Sequence, residues 1–336
     1  MTVNNINYIT AADTVPMDGV TDASATIQTL IDNNPNRTIY FPDGKYLLSK
    51  PVLTPADPKK SVSLCLSSYA EFIAAENWDS DEAMIRLGAK DPANDIRTCG
   101  SNYSFSGGII NGSGVASGIS IDGGRETVVR DVSIKHTKVG LHIKFGANSG
   151  SSDCDISGVN IVGNRARDSI GVLLDGYDNT LTNMRIADVF IGMKINSGGN
   201  SLRNIHPLYT CDYTDYQQSC GFYDISGGNW YYFCYSDHFG IGFRTGENAV
   251  NIYDSCFCWW YCNLGERQLA VLADGAFNSI MTNFKIGFFD TKTTNIVLEE
   301  GKSGGCGVFE RLLFKRGIAP ADSGYQSYLQ GKVIEF

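Results

Sequence analysis

The chain has 336 residues, 43% of them hydrophobic and 19% charged, with 37 glycines and a formal net charge of −9. No run approaches the roughly 18 apolar residues of a membrane-spanning helix, and no cluster of Lys or Arg supplies the basic stripe that displaces counterions from nucleic-acid phosphates. These features exclude membrane and nucleic-acid partners from the expectation, favour a neutral over an anionic polymer as ligand, and suit a turn-rich all-β fold with a long interior.

The opening segment MTVNNINYITAADT lacks the basic stretch and apolar core of a secretion leader, so a cytoplasmic protein is expected, with a phage virion as the alternative. Residues 22–33 (DASATIQTLIDN) have the apolar spacing of a short amphipathic helix, with Thr21 or Asp22 placed at its N-cap. The segment RTIYFPDGKYLLSKPVL then reads as two strands about a Pro-Asp-Gly turn. Residues 1–60 are expected to form an N-terminal cap.

From Gly118 onward a phrase recurs: a small residue opens an apolar strand, a Gly-containing turn follows, often an Asn, then a second strand. Its anchors are Gly118, Gly140, Gly171, Gly192, Gly221, Gly242, Ala270 and Ile296, at steps of 22, 31, 21, 29, 21, 28 and 26 residues. That is the period of a solenoid whose unit cannot bury its apolar face alone. Short strands without intervening helices make it an all-β, right-handed parallel β-helix with a short N-terminal capping helix. The coils are expected over residues 61–317, with a C-terminal cap or tail at 318–336. Asn179, Asn200, Asn229, Asn248 and Asn278 fall six to eight residues after five consecutive anchors. Asn tolerates the left-handed backbone of a tight corner, so the row reads as a hydrogen-bonded ladder, with sugar contact as the other use.

Asp18-Gly19-Val20-Thr21-Asp22, Ile27-Gln28 and Ile39-Tyr40-Phe41-Pro42-Asp43-Gly44-Lys45-Tyr46 resemble the N-terminal signature of the pectate-lyase-like superfamily. The resemblance implies the β-helix fold and one of several roles: glycoside hydrolase, polysaccharide lyase, fructan-processing transferase or phage tailspike. It also implies homo-oligomers, trimers foremost, with a site between subunits. The sequence lacks the Asn-Thr-Asp, Asp-Asp, Gly-His-Gly and Arg-Ile-Lys phrases of polygalacturonases. Asp237-His238 and Arg185-Ile186-Ala187-Asp188 are the nearest pieces and match neither, and no aspartate cluster suits a calcium-dependent pectate lyase.

Chemistry on such a fold is expected on the outer wall, between the insertions His206–Ser219 and Cys256–Arg267. Four residues before successive anchors stand His136, Arg167, Asp188, Gln217, His238 and Glu266, a polar column that lines either a groove or a solvated face. Glycosidic cleavage needs two carboxyls, about 5 Å apart for retention and roughly 6.5–9.5 Å apart for inversion. One coil rises about 4.8 Å, so Asp237 with Glu266 approximates the first spacing and Asp188 with Asp237 the second. Asp212 and Asp215 reach toward the same groove from their loop. His238 or Arg267 is expected to polarise the substrate, and no cofactor is called for. Trp230, Trp259, Trp260 and Tyr213 are expected as sugar platforms, with core filling or a subunit interface as the other reading. Gln217, Arg167 and His136 complete the expected substrate contacts. The ten cysteines lie mostly in apolar strands and read as inert core thiols. The C-x-C-x-x-x-C spacing of Cys256, Cys258 and Cys262 is not a common zinc pattern, and no metal is expected. The reading that results is a carbohydrate-active enzyme acting on a neutral oligo- or polysaccharide through an acid/base carboxylate pair, with a tailspike-like glycan-binding module as the alternative.

Overall fold

A computed structural model describes residues 8–55, 57–88, 103–145, 151–211, 215–262 and 264–336 and shows a right-handed parallel β-helix. Internal contacts divide the chain into two units, Met1–Asn164 with Asp175–Asn179, and Arg165–Leu174 with Thr180–Phe336. Both are built on the same plan. In the first unit Ile39, Leu64, Phe105, Val129 and Ile156 are register partners on successive strands of one wall, all buried. Tyr46, Phe72, Ile110, Ile134 and Ile161 do the same on a second wall, and Val52, Ile85, Ile119 and Leu141 on a third. In the second unit the corresponding rows include Leu202, Tyr231, Tyr253, Met281 and Phe309, and Met193, Phe222, Phe243, Val271 and Leu298. Burying each such side chain contributes about 1.5–3 kcal/mol. The partner of every row member lies in the next coil, so a coil has no core of its own.

The glycine anchors have a steric cause. A Cβ on Gly192 would lie 2.4 Å from the Gly221 carbonyl oxygen and 2.5 Å from Pro207 Cβ, and one on Gly242 would lie 2.3 Å from Cys258 Sγ. At these two positions an atom of the next coil's backbone or of a facing side chain already lies within 2.5 Å of where a Cβ would stand, so any side chain there forces its neighbours to shift.

The Asn ladder forms, with a corrected membership. Asn200 N–H donates to Asn229 Oδ1 at 2.8 Å, Asn229 N–H to Asn251 Oδ1 at 2.9 Å, and Asn251 N–H to Ser279 Oγ at 3.1 Å. In the other unit Asn179 Oδ1 accepts the Cys154 N–H at 3.0 Å. Asn248 is exposed and Asn278 only half-buried, and Asn251 and Ser279 take their places because the strands that follow begin at Ile252 and Ile280. Beside the ladder, Asp224 is buried and accepts from Gly227 N–H at 2.8 Å, Asn229 Nδ2 at 2.8 Å and the Tyr231 hydroxyl at 2.6 Å.

The helix Ser24–Asp32 buries Ile27 and Ile31. Its first residue is held by Asp22, whose Oδ1 accepts the Ser24 N–H at 3.0 Å. Partial burial opposes ionisation of Asp22, yet hydrogen bonds from Ser49 and Ser24 bring its pKa down to about 2. At the C-terminal end Asp322 accepts the N–H groups of Val297 and Leu298 at 2.9 and 3.3 Å. Cys154, Cys220, Cys256 and Cys258 are buried reduced thiols. Burial pushes the first two up to about 12 and raises the others as well. Among the described residues no helix is long and apolar enough to cross a membrane.

Candidate functional site

On the outer wall of the second unit one residue per coil, within a strand or between two strand segments, has left-handed backbone: Asn183, Asn204, Phe233, Ser255 and Asn283, with φ of 51–55°. Asn accepts this geometry readily, whereas for a bulky residue such as Phe233 it is an outlier. The bend opens a groove of about 620 Å³ with this column as its floor.

One side of the groove is a row of rings set by the register. His206 stacks on Tyr235 with centroids 4.1 Å apart, and Tyr235 stacks on Phe257 at 4.7 Å. Lys285, the register partner of Phe257, places its ammonium 4.6 Å from that ring and 4.1 Å from Phe336. Arg203 lines the other side, its guanidinium 5.2 Å from the Tyr232 ring. Among the described residues that line the groove, Arg203 and Lys285 are the only charged ones, and none is a carboxylate.

Asp237 lies two residues beyond Tyr235 on the same face. It is 8% exposed; Oδ2 is 3.3 Å from His206 Nε2, and Oδ1 has no partner. Burial, followed by the negative charge of Asp237, raises the pKa of the Tyr235 hydroxyl. His238, the next residue, is fully buried with φ of 69°. Its Nδ1 accepts the Tyr261 N–H at 3.2 Å, so the neutral ring carries its proton on Nε2, 2.9 Å from Cys262 Sγ. Burial lowers the His238 pKa and raises that of Cys262.

The expected column does not share one surface. His136 is exposed in the first unit, and His238 faces inward where a substrate-polarising role was expected. The register places Asp237 opposite Leu208 and Trp259, so its expected one-coil alignment with Glu266 does not form. Glu266 instead shares a polar pocket of about 420 Å³ with Gln217, Gln218, Arg267 and Thr294. With its amide oriented to suit its neighbours, Gln217 accepts the Glu266 N–H at 2.8 Å and donates to the Arg267 carbonyl at 3.3 Å. Arg267 pairs with Glu299 at 2.6 Å, and Arg167 with Asp215 at 2.7 Å. Asp188 pairs with Arg165 at 2.9 Å and accepts from the Thr210 hydroxyl. Asp212 and Tyr213 lie outside the described residues.

The aromatics separate by face. Trp230 is 51% exposed, and Trp259 is half-buried over Gly287. Trp260, expected as a platform, is core: it is 1% exposed, stacks on Phe288 and donates Nε1–H to the Phe239 carbonyl at 2.8 Å. The sequence reading missed Arg203 and Lys285. The coil step was the available signal, because His206, Tyr235, Phe257, Lys285 and Leu313 follow one another at single-coil intervals.

Residues 15–206, more than half of the chain, match the profile of the family described as rhamnogalacturonase A/epimerase, pectate lyase-like. No curated protein sequence matches significantly. Among solved structures the chain is similar to the ORF18 protein of Geobacillus virus E2, with 14% identity, a TM-score of 0.61, and coverage of 90% of this chain and 62% of that one. It is similar to the tailspike of E. coli bacteriophage HK620 in complex with a pentasaccharide, with 10% identity, a TM-score of 0.66, and coverage of 98% and 65%. A third similar structure is the Streptococcus pneumoniae surface protein and adhesin PfbA, with 11% identity, a TM-score of 0.53, and coverage of 98% and 96%. The chain thus spans less than two thirds of the length of the two viral proteins. Stacked parallel coils, glycine anchors and the profile match over residues 15–206 agree, and the chain belongs to the rhamnogalacturonase A/epimerase, pectate-lyase-like family.

Proposed function

We propose that the second unit binds an oligosaccharide along the groove floored by Asn183, Asn204, Phe233, Ser255 and Asn283, and that the bound sugar carries an acidic group. The observation that carries this reading is the outer row His206–Tyr235–Phe257–Lys285, a continuous platform of rings ending in a cation. Aromatic faces take the apolar faces of sugar rings, and the amides of the floor offer donors and acceptors to hydroxyls. The excess of acidic residues over the whole chain favours a neutral glycan, but the local charge decides at contact distance. Arg203 and Lys285 line this groove with no carboxylate among its described lining residues. The tailspike recorded with a pentasaccharide, similar in fold, supports a glycan as ligand.

Calorimetric titration with a panel of acidic oligosaccharides and their carboxyl-reduced forms tests the reading. Tyr235→Ala and Phe257→Ala are each expected to weaken binding about tenfold, or about 1.4 kcal/mol. Lys285→Ala is expected to weaken binding of the acidic form alone and to flatten its salt dependence. Equal affinity of wild type for both forms would rule out the acidic assignment, and no binding to either would rule out the groove.

A second reading, cleavage of the bound glycan, is favoured by Asp237, a buried carboxylate with one oxygen held near His206 and the other unengaged. The other counterpart named in the sequence reading, Asp188, stands about two coils away, near 9.6 Å along the axis. There it is already engaged by Arg165 and Thr210. If cleavage occurs, Asp237→Asn is expected to reduce turnover by about 100-fold or more while leaving binding in place. Release of new reducing ends, followed over time for both proteins, distinguishes the two readings.

A further inference from the structure

The first unit holds a second constellation, independent of the groove. Ser120 and His142 are register partners on adjacent parallel strands, with side chains on the outer face between the inward-facing Ile119 and Ile121 and Leu141 and Ile143. Their Cα atoms are therefore about 4.8 Å apart. His142 Nε2 lies 2.7 Å from Asp175 Oδ2. A carboxylate oxygen accepts, so Nε2 carries the proton and the neutral ring presents Nδ1 as a lone-pair acceptor. Ser120 is 1% exposed and its Oγ has no hydrogen-bond partner. On the other side of Ser120 its register partner Arg86 has a buried Nε that is also unpartnered. Buried donors without partners are costly, and the two residues that carry them are register neighbours, with His142 the neighbour of Ser120 on the next strand.

We propose that Ser120, His142 and Asp175 form a nucleophilic serine site for short-chain carboxylic esters. Ser120 Oγ bonds to the ester carbonyl carbon as His142 Nδ1 takes the hydroxyl proton. Arg86 Nε–H stabilises the carbonyl oxygen as it gains negative charge. The ester C–O bond then breaks, and the alkoxide leaves with the proton from His142. Water repeats the sequence on the acyl-serine, releasing the carboxylic acid and restoring Ser120. The side chains of His142 and Asp175 are 25% and 26% exposed, whereas Ser120 is 1% exposed. Burial of Ser120 therefore favours a short acyl group such as acetyl over a long one.

The test uses the full chain and an alkyl fluorophosphonate, which phosphonylates an activated serine with loss of fluoride. Intact-mass analysis is expected to show one adduct, mapped by peptide sequencing to Ser120. Hydrolysis of p-nitrophenyl acetate is expected to exceed that of the octanoate ester, to fall to the spontaneous rate in Ser120→Ala, and to fall by about 100-fold or more in His142→Gln. Asp175 positions and electrostatically supports the imidazole. Asp175→Asn is therefore expected to lower kcat for acetate hydrolysis by about 100-fold or more with KM little changed, counted per fluorophosphonate-reactive site, which a merely structural role would not do. An unlabelled wild type, an adduct on another residue, or acetate hydrolysis unchanged in Ser120→Ala overturns the proposal. The labelling of wild type decides it even if a variant fails to fold.

Discussion

Asp224→Ala is expected to destabilise the protein by about 3–5 kcal/mol, read as a lowered midpoint in urea denaturation. The carboxylate is the acceptor for a backbone N–H, the Asn229 amide and the Tyr231 hydroxyl, all in a buried corner. Removing it strands three donors away from water, and Asn229 is itself a rung of the ladder that joins consecutive coils. Tyr231→Phe, which deletes one donor and leaves the acceptor otherwise engaged, should cost only about 1 kcal/mol. The pH dependence has a definite sign. Burial raises the Asp224 pKa above its ordinary 3.8 despite the three donors. The folded state then holds the proton more tightly than the unfolded chain. The stabilisation from this group is complete below about pH 3.8 and is lost as pH rises through the raised native value. Asp224→Asn imitates the protonated form, so its stability relative to wild type should improve between pH 3 and pH 7. A difference that stays flat, or moves the other way, would show that the donors outweigh burial.

The second large effect is steric. Gly192→Val is expected to lower stability by at least about 3 kcal/mol, measured as a depressed thermal midpoint or loss of folded product. Its Cβ alone would stand 2.4 Å from a backbone carbonyl oxygen, which cannot move without shifting the Gly221 strand. Gly324→Ala serves as the comparison. No atom lies within 4 Å of a Cβ placed there, and its φ is not in the left-handed range, so its effect should stay within about 0.5 kcal/mol. If both substitutions behave alike, close approach of the walls is not what keeps the anchors small.

The coil period was legible because the same contact recurs at every turn, so glycine, apolar strand and Asn reappear in the same order. The outer surface was harder to read. Counting back from each anchor equates residues only if the connections before the anchors have equal length, and they do not. Asp188 is followed within three residues by the strand Ile191–Ile195, whereas Glu266 closes the longer connection from Trp260. The residue aligned with Glu266 by counting, His238, directly follows a strand and turns into the core. Trp259 and Trp260 illustrate the same limit: adjacent residues at a strand end face opposite ways, and the sequence does not say which one is out. Lys285 and Arg203 went unread because each is a single charge in an otherwise ordinary strand. They acquire meaning only when register brings one beside Phe257 and the other beside Tyr232. Ser120, His142 and Asp175 were invisible for a related reason, since 22 and 33 residues separate them in sequence and the register brings the first two together.

The reduced thiols in the interior provide built-in reporters of local opening. Cys154 lies in one unit, and Cys220, Cys234, Cys256 and Cys258 are distributed over successive coils of the other, all shielded from solvent. Cys306 is exposed and gives the unprotected reference rate. A disulfide reagent added to the native protein would modify each sheltered sulfur only when its own coil separates from its neighbours. The order of modification along the chain would then trace how the stack comes apart, coil by coil, without any label being introduced.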